Sequence, residues 1–380
     1  MISSILTGIW DYGIVFLAIL TIVVFVHELG HYTVARWCGV KVETFSIGFG
    51  PELFGWYNKA GTRWRISLLP IGGYVKMFGD AGEASTPDNS RQYTAAEKSV
   101  AFQFKNVWQR MAIVAAGPAM NFIFGIFALA ILLAVYGEPR NAPVIDQVQQ
   151  GSAAAEVGLQ KGDRIVEIGG ASIKTWQDLQ RVVQMSVGEP IALTVERDQQ
   201  RLNLLAHPQI KEVTDLFGTV HKTPILGILP DPSATELVRF NPATALFEAA
   251  DQTAEMVGAT FKGIGQMLTG QRDASELHGT LGIAKGAGAA AKLGLGGIAY
   301  YIILLSINLG LFNCFPVPLL DGGHLMFYVI EVVRGRPLGP KAQEYGFRLG
   351  LFLVFALMLF STRNDLLDLR VWDFIKRVVS

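Results

Sequence analysis

Four long apolar runs stand out along the chain, at about residues 12–36, 111–136, 298–315 and 347–360. A helix that crosses a bilayer needs about 20 predominantly apolar residues. The first three runs approach or reach that length, and the fourth is marginal by itself. Polar residues interrupt all but the last run, so those helices are predicted to turn a polar face towards a bundle or a cavity. The pattern predicts a polytopic α-helical membrane protein with about four transmembrane helices.

A compact α+β module is predicted between the second and third runs. Short alternating or β-branched runs at residues 142–148, 163–170 and 190–197 are typical of strands. Residues 175–186 have helical spacing, and Thr175 is placed to cap that helix. Residues 211–232 then indicate a connector made of strands and turns.

Two further segments precede the third run. Residues 242–270 carry an apolar stripe, which predicts a helix that either packs against protein or lies on the membrane surface. Residues 282–297 are rich in glycine and alanine, and such small side chains permit close packing of helices.

The loop after the first run contains GTRWRISLLPIGGYVKM, residues 61–77. It is predicted to form two short strands around a Pro-Ile-Gly-Gly turn. Its apolar content favours a β-hairpin associated with the membrane, whose open edge could pair with an extended peptide. A plain surface hairpin fits the same pattern.

Lysine and arginine indicate the orientation. Ten lie between Arg36 and Arg110, four lie between Asn313 and Arg348, and the first eleven residues have none. The positive-inside rule therefore places both loops in the cytoplasm and the α+β module outside. Parity also places the C-terminal tail outside, although that tail is basic.

Composition agrees with a membrane protein. Apolar residues make up 51% of the chain, charged residues 17%, and the mean hydropathy is +0.35. The formal net charge is zero, so nothing favours a nucleic-acid partner. The two cysteines belong to no CxxC pattern, and a disulfide framework is not predicted.

These patterns divide the chain into eight segments. They are a first transmembrane helix (1–36), a cytoplasmic loop with the hairpin (37–110), a second transmembrane helix (111–136), the outer module (137–210), a connector with the amphipathic helix (211–295), a third transmembrane helix (296–316), a second cytoplasmic loop (317–346), and a fourth transmembrane helix with the tail (347–380).

The end of the first run carries the candidate chemistry. VHELGHY, residues 26–32, fits the pattern H-E-x-x-H. On a helix, His27 and His31 share one face and can bind a single Zn²⁺ ion. Glu28 is placed to take a proton from an attacking water as general base. Ionisable groups are costly at membrane depth, so three of them together predict zinc catalysis.

A catalytic zinc site usually has three protein ligands. The segment NCFPVPLLDGGH, at the end of the third run, offers Asp321 and His324 at the same side of the membrane as the first two histidines. Asp321 lies before a Gly-Gly turn, which suits a rigid ligand. The composition does not choose between these two residues.

Several motifs together resemble the site-2 protease family of intramembrane zinc metalloproteases. They are VHELGHYTVARWCGVKVETFSIGFGP, LLPIGGYVKM, AAGPAMNFIFG and SINLGLFNCFPVPLLDGGHL, and the resemblance runs nearly from end to end. Within that family, the likeness is greatest to the bacterial regulator of sigma-E protease. GSAAAEVGLQKGDRIVEIGG, residues 151–170, resembles a PDZ domain. The chain has one such segment, whereas the sigma-E proteases have two in tandem.

The resemblance implies roles for residues of this chain. It implies that Asp321 is the third zinc ligand beside His27 and His31, and that Glu28 is the general base. The residues implied to shape the substrate cleft are Asn313, Pro316, Pro318 and Asn121, together with Gly72 and Gly73 of a membrane-inserted hairpin.

The implied activity is hydrolysis of a peptide bond within the transmembrane segment of single-span membrane proteins. The resemblance suggests an anti-sigma factor already cut on its periplasmic side as substrate, and remnant signal peptides as a second class. The implied location is the bacterial inner membrane, with the PDZ domain in the periplasm and the active site near the cytoplasmic side.

Two other classes of function use some of the same features. A zinc transporter would also place histidine and glutamate in a span, but it would normally show an internal repeat, which the chain lacks. A membrane-anchored PDZ scaffold would explain the outer module, but it leaves HELGH and LLDGG without a use.

Overall fold

The computed structural model describes residues 2–80, 92–186, 189–214, 220–274 and 277–368. The predicted C-terminal tail, residues 369–380, lies outside the described residues. The contacts divide the chain into two compact units. Unit 1 comprises the residues up to 128 together with those from 278 onward, and unit 2 comprises residues 129–277.

Four helices are long and apolar enough to cross a membrane. They are α1 (Ile2–Trp37), α3 (Val107–Tyr136), α8 (Gly294–Asn313) and α10 (Pro340–Asp368). This confirms the predicted number of spans. The remaining helices are α2 (Ala95–Val100), α4 (Ala153–Glu156), α5 (Trp176–Gln184), α6 (Pro242–Leu268), α7 (Thr280–Lys292) and α9 (Asp321–Arg334).

The fourth span is longer than its apolar run. The run covers residues 347–360, whereas the helix that could span covers Lys341–Leu367. Segments that contain polar residues, 341–346 and 361–367, extend it at both ends, and an apolar run alone does not detect such extensions. Only 11% of its most apolar window is buried, against 28–33% in the other three spans, so α10 exposes most of its side chains.

A long antiparallel hairpin follows the first span. It pairs β1 (Val42–Tyr57) with β2 (Arg63–Met77). The turn lies at residues 58–62, where the Asn58 side chain accepts hydrogen bonds from the N–H groups of Ala60 and Thr62. The predicted Pro-Ile-Gly-Gly turn, residues 70–73, falls within the span of β2, where the register with β1 shifts. Residues 63–66 and 73–76 both pair with residues 44–47 and run in opposite directions, so the chain does reverse there, but the two strands that flank the turn are not neighbours.

The base of the hairpin packs on the ends of two spans. Phe45 is fully buried, stacks on Trp64 at 4.2 Å between ring centroids, and meets Tyr32 edge to face. The rest of the hairpin leaves apolar side chains exposed, among them Leu53, Phe54, Trp56, Tyr57, Leu68, Leu69 and Ile71. The buried base fixes the hairpin beside α1, since β2 contacts that helix.

Unit 2 contains the predicted α+β module. Its strands are β3 (Glu138–Asn141), β4 (Ile145–Val148), β5 (Arg164–Ile168), β6 (Ala171–Ser172), β7 (Ile191–Arg197), β8 (Gln200–Ala206), β9 (Gln209–Thr214), β10 (Val220–Ile225), β11 (Ile228–Pro230) and β12 (Thr235–Val238). The largest sheet has the order β6-β5-β7-β8. The three predicted strands and the predicted helix are confirmed as β4, β5, β7 and α5, and Thr175 caps α5 with Asp178 as its partner.

The module extends beyond the predicted boundary at residue 210. Strand β11 pairs with β4, and β12 pairs with β3. These pairings join segments about 80 to 100 residues apart, which local patterns do not reveal. Residues 228–230 of the predicted connector therefore pair with the module, while β9 and β10 pair with each other.

Helix α6 packs within unit 2 through its small side chains. Ala245, Ala249 and Thr253 are buried. Arg181 of α5 forms an ion pair with Glu255, and the Gln266 side chain donates a hydrogen bond to the Met185 carbonyl. Large apolar residues on its other side, Phe247, Phe261 and Leu268, remain exposed.

The glycine- and alanine-rich segment forms α7, which packs closely against α8. An added methyl group at Gly297 would lie 2.6 Å from the Ala290 carbonyl oxygen. The Tyr301 hydroxyl donates to the Ile283 carbonyl at 2.8 Å. These contacts agree with the prediction that small residues allow close packing here.

Candidate active site

The first two candidate ligands lie one turn apart on α1. His27 and His31 are 8% and 9% exposed, and their rings meet edge to face. Trp37, at the end of the helix, is exposed, as is typical of tryptophan at a membrane interface. At a rise of 1.5 Å per residue, the two histidines lie about 9 to 15 Å from that end.

Close contact with α3 holds these histidines in place. An added methyl group at Gly30 would lie 2.9 Å from the Met120 Cβ, and one at Gly117 would lie 2.5 Å from the His31 Cε1. Only glycine leaves room for helices at this distance, so the Gly-Pro-Ala-Met-Asn motif brings α3 directly against the imidazoles.

The Nδ1 atom of each imidazole has a hydrogen-bond partner. His31 Nδ1 lies 2.9 Å from the Ile113 carbonyl oxygen and must donate to it. His27 Nδ1 lies 3.2 Å from the side-chain amide of Asn121, which is fully buried. The amide oxygen and nitrogen have the same shape, so the oxygen can be the acceptor here. Both neutral rings then present an unprotonated Nε2.

Asp321 reaches the same point from the other side. It opens α9, and two glycines follow it. Added methyl groups at Gly322 and Gly323 would collide with the backbone of residues 314–318; that at Gly323 would lie 2.6 Å from the Pro318 Cα. These glycines let the start of α9 pack directly against residues 314–318, which follow α8, and this contact positions the Asp321 carboxylate beside the histidines.

Three donor atoms converge. The His27 and His31 Nε2 atoms are 3.2 Å apart, and the Asp321 Oδ2 lies 3.1 and 3.4 Å from them. Among the described residues, these three form the group of histidine, cysteine and acidic side chains that could hold a metal ion. His324 lies outside that group, although it lines the same cavity.

The arrangement fits zinc. Two bonds of about 2.1 Å that meet at the tetrahedral angle end about 3.4 Å apart, close to the three distances observed. The Asp321 Oδ2 is buried and has no hydrogen-bond partner among the described residues. Three lone-pair donors facing one another repel unless a cation lies between them. Imidazole and carboxylate are also ligands that zinc accepts.

Geometry separates Asp321 from His324. The Asp321 carboxylate lies within 3.4 Å of both histidines, whereas His324 is outside the donor group. Burial lowers the pKa of His324, which keeps that imidazole neutral. The His324 ring instead packs against Phe347 at 5.3 Å between centroids.

A cavity of about 250 Å³ opens onto these residues. Of the predicted site residues, its lining includes His27, Glu28, His31, Gly73, Asn313 and Asp321. Gly72, Pro316, Pro318 and Asn121 lie outside the lining, and Asn121 instead contacts the back of His27. An added methyl group at Gly73 would lie 3.4 Å from the Glu28 Cγ, so β2 passes beside that carboxylate.

Sequence reasoning missed several lining residues. Phe49, Met77, Phe102, Val114, Leu319 and Tyr328 are the main ones. Phe49, Met77 and Leu319 lie inside the motifs that carry the family resemblance, but no local pattern indicated that these side chains meet. Tyr74 and Leu320, which also line the cavity, are adjacent to the predicted site residues Gly73 and Asp321.

Comparison with known proteins identifies the family. The model of peptidase family M50 matches residues 15–357. The chain belongs to peptidase family M50. A predicted zinc metalloprotease of Agrobacterium fabrum is 42% identical over 371 residues, covering 97% of this chain and 98% of its own. Metalloprotease MmpA of Caulobacter vibrioides is 37% identical over 386 residues, covering 94% and 96%.

The chain is thus a zinc metalloprotease of the site-2 protease type. A solved PDZ domain, from the SdrC-like protein of Listeria innocua, matches 24% of this M50 peptidase and 93% of its own length. The identity is 24% and the TM-score 0.19. The residues matched by the family model, 15–357, include both the HExxH motif and Asp321.

Proposed function

We propose that this M50 peptidase cleaves a peptide bond inside the membrane-spanning segment of single-span membrane proteins. His27, His31 and Asp321 hold the zinc, and Glu28 is the general base. One observation carries the proposal: the three donor atoms, two of them on the first span, lie 3.1–3.4 Å from one another at a cavity that Glu28 also lines.

The chemistry follows from the side chains around that cavity. Zinc, when bound, polarises the scissile carbonyl and acidifies the attacking water. Glu28 takes a proton from that water and returns it to the leaving amine. Asn313 lines the same cavity and offers an amide that can hold a substrate carbonyl.

The hairpin suggests how the substrate is held. A helical substrate hides its carbonyls in its own hydrogen bonds, so the cleaved segment must be extended. Among the described strands, β2 pairs with β1 alone, and it passes Glu28 at Gly73. Its other edge can pair with an extended chain, as in other cases of β-strand addition. The exposed apolar residues of the hairpin favour its association with the membrane.

The location and the substrates are further parts of the proposal. The distribution of lysine and arginine supports an inner-membrane protein with the α+β module in the periplasm and the cleavage site near the cytoplasm. The resemblance to sigma-E proteases supports an anti-sigma factor already cut outside, and remnant signal peptides, as substrates. The single PDZ-like module then reads or restricts what approaches from the periplasm.

Replacing the base tests the proposal. Glu28→Gln should keep the zinc, because Glu28 is outside the donor group, and should abolish cleavage of a tagged single-span protein. Zinc content and the appearance of the cleaved fragment are the measurements. Glu344→Gln, on the exposed Glu344–Arg348 pair of α10, is the matched control and should cleave normally. Normal turnover by Glu28→Gln would overturn the assignment.

A further inference from the structure

The turn before the third candidate ligand contains a strained leucine. The Leu320 N–H donates to the Val317 carbonyl at 3.0 Å, closing a turn with Pro318 and Leu319 at its centre. Leu319 has φ = +100°. A proline at the second position and a positive φ at the third position are typical of a type II turn, and glycine is favoured at that third position. A leucine there carries backbone strain.

One backbone constraint and two contacts hold the strained turn. Pro318 fixes its own φ. Gly323 of α9 packs against it, since an added methyl group would lie 2.7 Å from the Pro318 nitrogen. Gly350 of α10 packs against the Pro318 carbonyl so closely that an added methyl group would collide with it. The surrounding helices therefore determine the turn, and the side chain at position 319 has no part in maintaining it.

Packing buries the Leu319 side chain only in part, so it offsets the backbone strain only in part. Leu319 is 46% exposed, whereas Leu311, at a packed position of α8, is 4% exposed. The Leu319 side chain lines the cavity that also contains Glu28, Asn313 and Asp321. Glycine would form this turn without strain and would give up only a half-buried side chain. The described residues therefore leave part of the Leu319 side chain, on the cavity, without a partner.

The cavity indicates what that partner is. Its volume of about 250 Å³ lies below the range of about 300–1,000 Å³ usual for small-molecule pockets, so it suits one or two residues of an extended peptide. Leu319, Leu320 and Phe49 supply apolar lining near the polar group of Glu28 and Asp321. An apolar side chain next to the scissile bond would contact this lining.

We propose that Leu319 is a specificity-determining residue, whose side chain limits the size of the apolar substrate side chain that adjoins the scissile bond. The inference rests on the proposed function, because it assigns a subsite to the proposed cleavage cavity. Compact residues such as alanine fit beside Leu319, and aromatic residues are excluded by it.

Substitutions at position 319 test the proposal against a substrate series. The cleavage site of one single-span substrate is first mapped by mass spectrometry, and alanine, leucine or phenylalanine is placed at the residue adjoining it. The quantity compared is the rate ratio, which is the cleavage rate of the phenylalanine substrate divided by that of the alanine substrate. Relative to the wild type, Leu319→Gly and Leu319→Ala should raise this ratio by at least about tenfold. Leu319→Phe should lower that ratio. All three variants should retain zinc.

Thermal stability gives a second readout that does not depend on cleavage. Leu319→Gly should unfold at a higher temperature than Leu319→Ala, because glycine alone relieves the positive φ. Gln199 provides the matched control: it has φ = +67° in the exposed turn between β7 and β8. Gln199→Gly should raise the unfolding temperature without changing the rate ratio.

The outcomes separate this inference from the proposed function. A wild-type rate ratio in all three zinc-loaded Leu319 variants would overturn the inference while the proteolytic activity stood. So would a Leu319→Gly protein that unfolds below Leu319→Ala, since that result assigns the residue to packing. Cleavage that persists in Glu28→Gln would instead overturn the proposed function, and with it the subsite.

Discussion

At the scale of single residues, the candidate site depends on groups that orient the ligands as well as on the ligands themselves. The Ile113 carbonyl and the Asn121 amide face the Nδ1 atoms of His31 and His27. Each contact directs the opposite nitrogen into the donor group. Second partners of this kind fix the tautomer of a ligating histidine and raise its metal affinity.

Asn121 can therefore be tested by its effect on zinc. Asn121→Ala removes the partner of His27 Nδ1, and we expect zinc affinity to fall about 10- to 100-fold. Competition with a graded chelator measures this fall without an activity assay. Asn203→Ala, which removes an exposed amide on β8, is the control and should titrate as the wild type does. Equal titrations for both variants would show that Asn121 does not orient the ligand.

At the scale of elements, glycines set the distances that bring the ligands together. Gly30 and Gly117 let α1 and α3 touch at the two histidines, and Gly322 and Gly323 let α9 begin on the end of α8. A side chain at any of these positions would collide with the neighbouring element and push the two elements, and with them the candidate metal ligands, apart. The motifs HELGH, GPAMN and LDGG are thus packing motifs as much as chemical ones.

Gly323→Ala tests the junction of α8 and α9. The added methyl group meets the backbone of Val317 and Pro318, so α9 must shift and carry Asp321 away from the histidines. We expect zinc content to fall by at least about tenfold, since one of three ligands is displaced. Gly339 has open space around it, and Gly339→Ala is the control. Full zinc occupancy in Gly323→Ala would contradict the role given to this contact.

At the scale of the whole molecule, a buried carboxylate links distant parts of unit 1. Asp365, near the end of α10, is 1% exposed and accepts hydrogen bonds from the N–H groups of Gly279, Leu281 and Gly282. It caps the N-terminus of α7 from a position more than 80 residues away. Helix α7 contacts both α1 and α8, so this cap ties the fourth span to the helices that hold the site.

Asp365→Ala should lower the unfolding temperature. It leaves three N–H groups at a helix N-terminus without their acceptor, and loss of such a cap typically costs about 1–2 kcal/mol. Thermal unfolding of the purified protein in detergent is the measurement. Glu344→Ala breaks an exposed ion pair on the same helix and should change the temperature little. Equal changes of the unfolding temperature in the two variants would mean that the Asp365 cap stabilises the protein no more than an exposed ion pair does.

Local patterns were sufficient for much of the fold. The apolar runs predicted four spans, and alternation with turn residues predicted β4, β5, β7 and α5. Prediction failed where a distant partner decides the structure. Pro-Ile-Gly-Gly is predicted to join two neighbouring strands, but residues 44–47 of β1 lie between those strands and pair with both. The module extends to β11 and β12 because they pair with strands that precede them by about 80 to 100 residues.

The sequence by itself determined the chemistry. HELGH at the end of an apolar run places two imidazoles on one helix face and a carboxylate beside them, because helical periodicity is local. The tertiary structure alone brought Asp321, rather than His324, to within 3.4 Å of both histidines. It also placed Leu319 in the cavity. Those distances depend on contacts between helices almost three hundred residues apart, which no local pattern encodes.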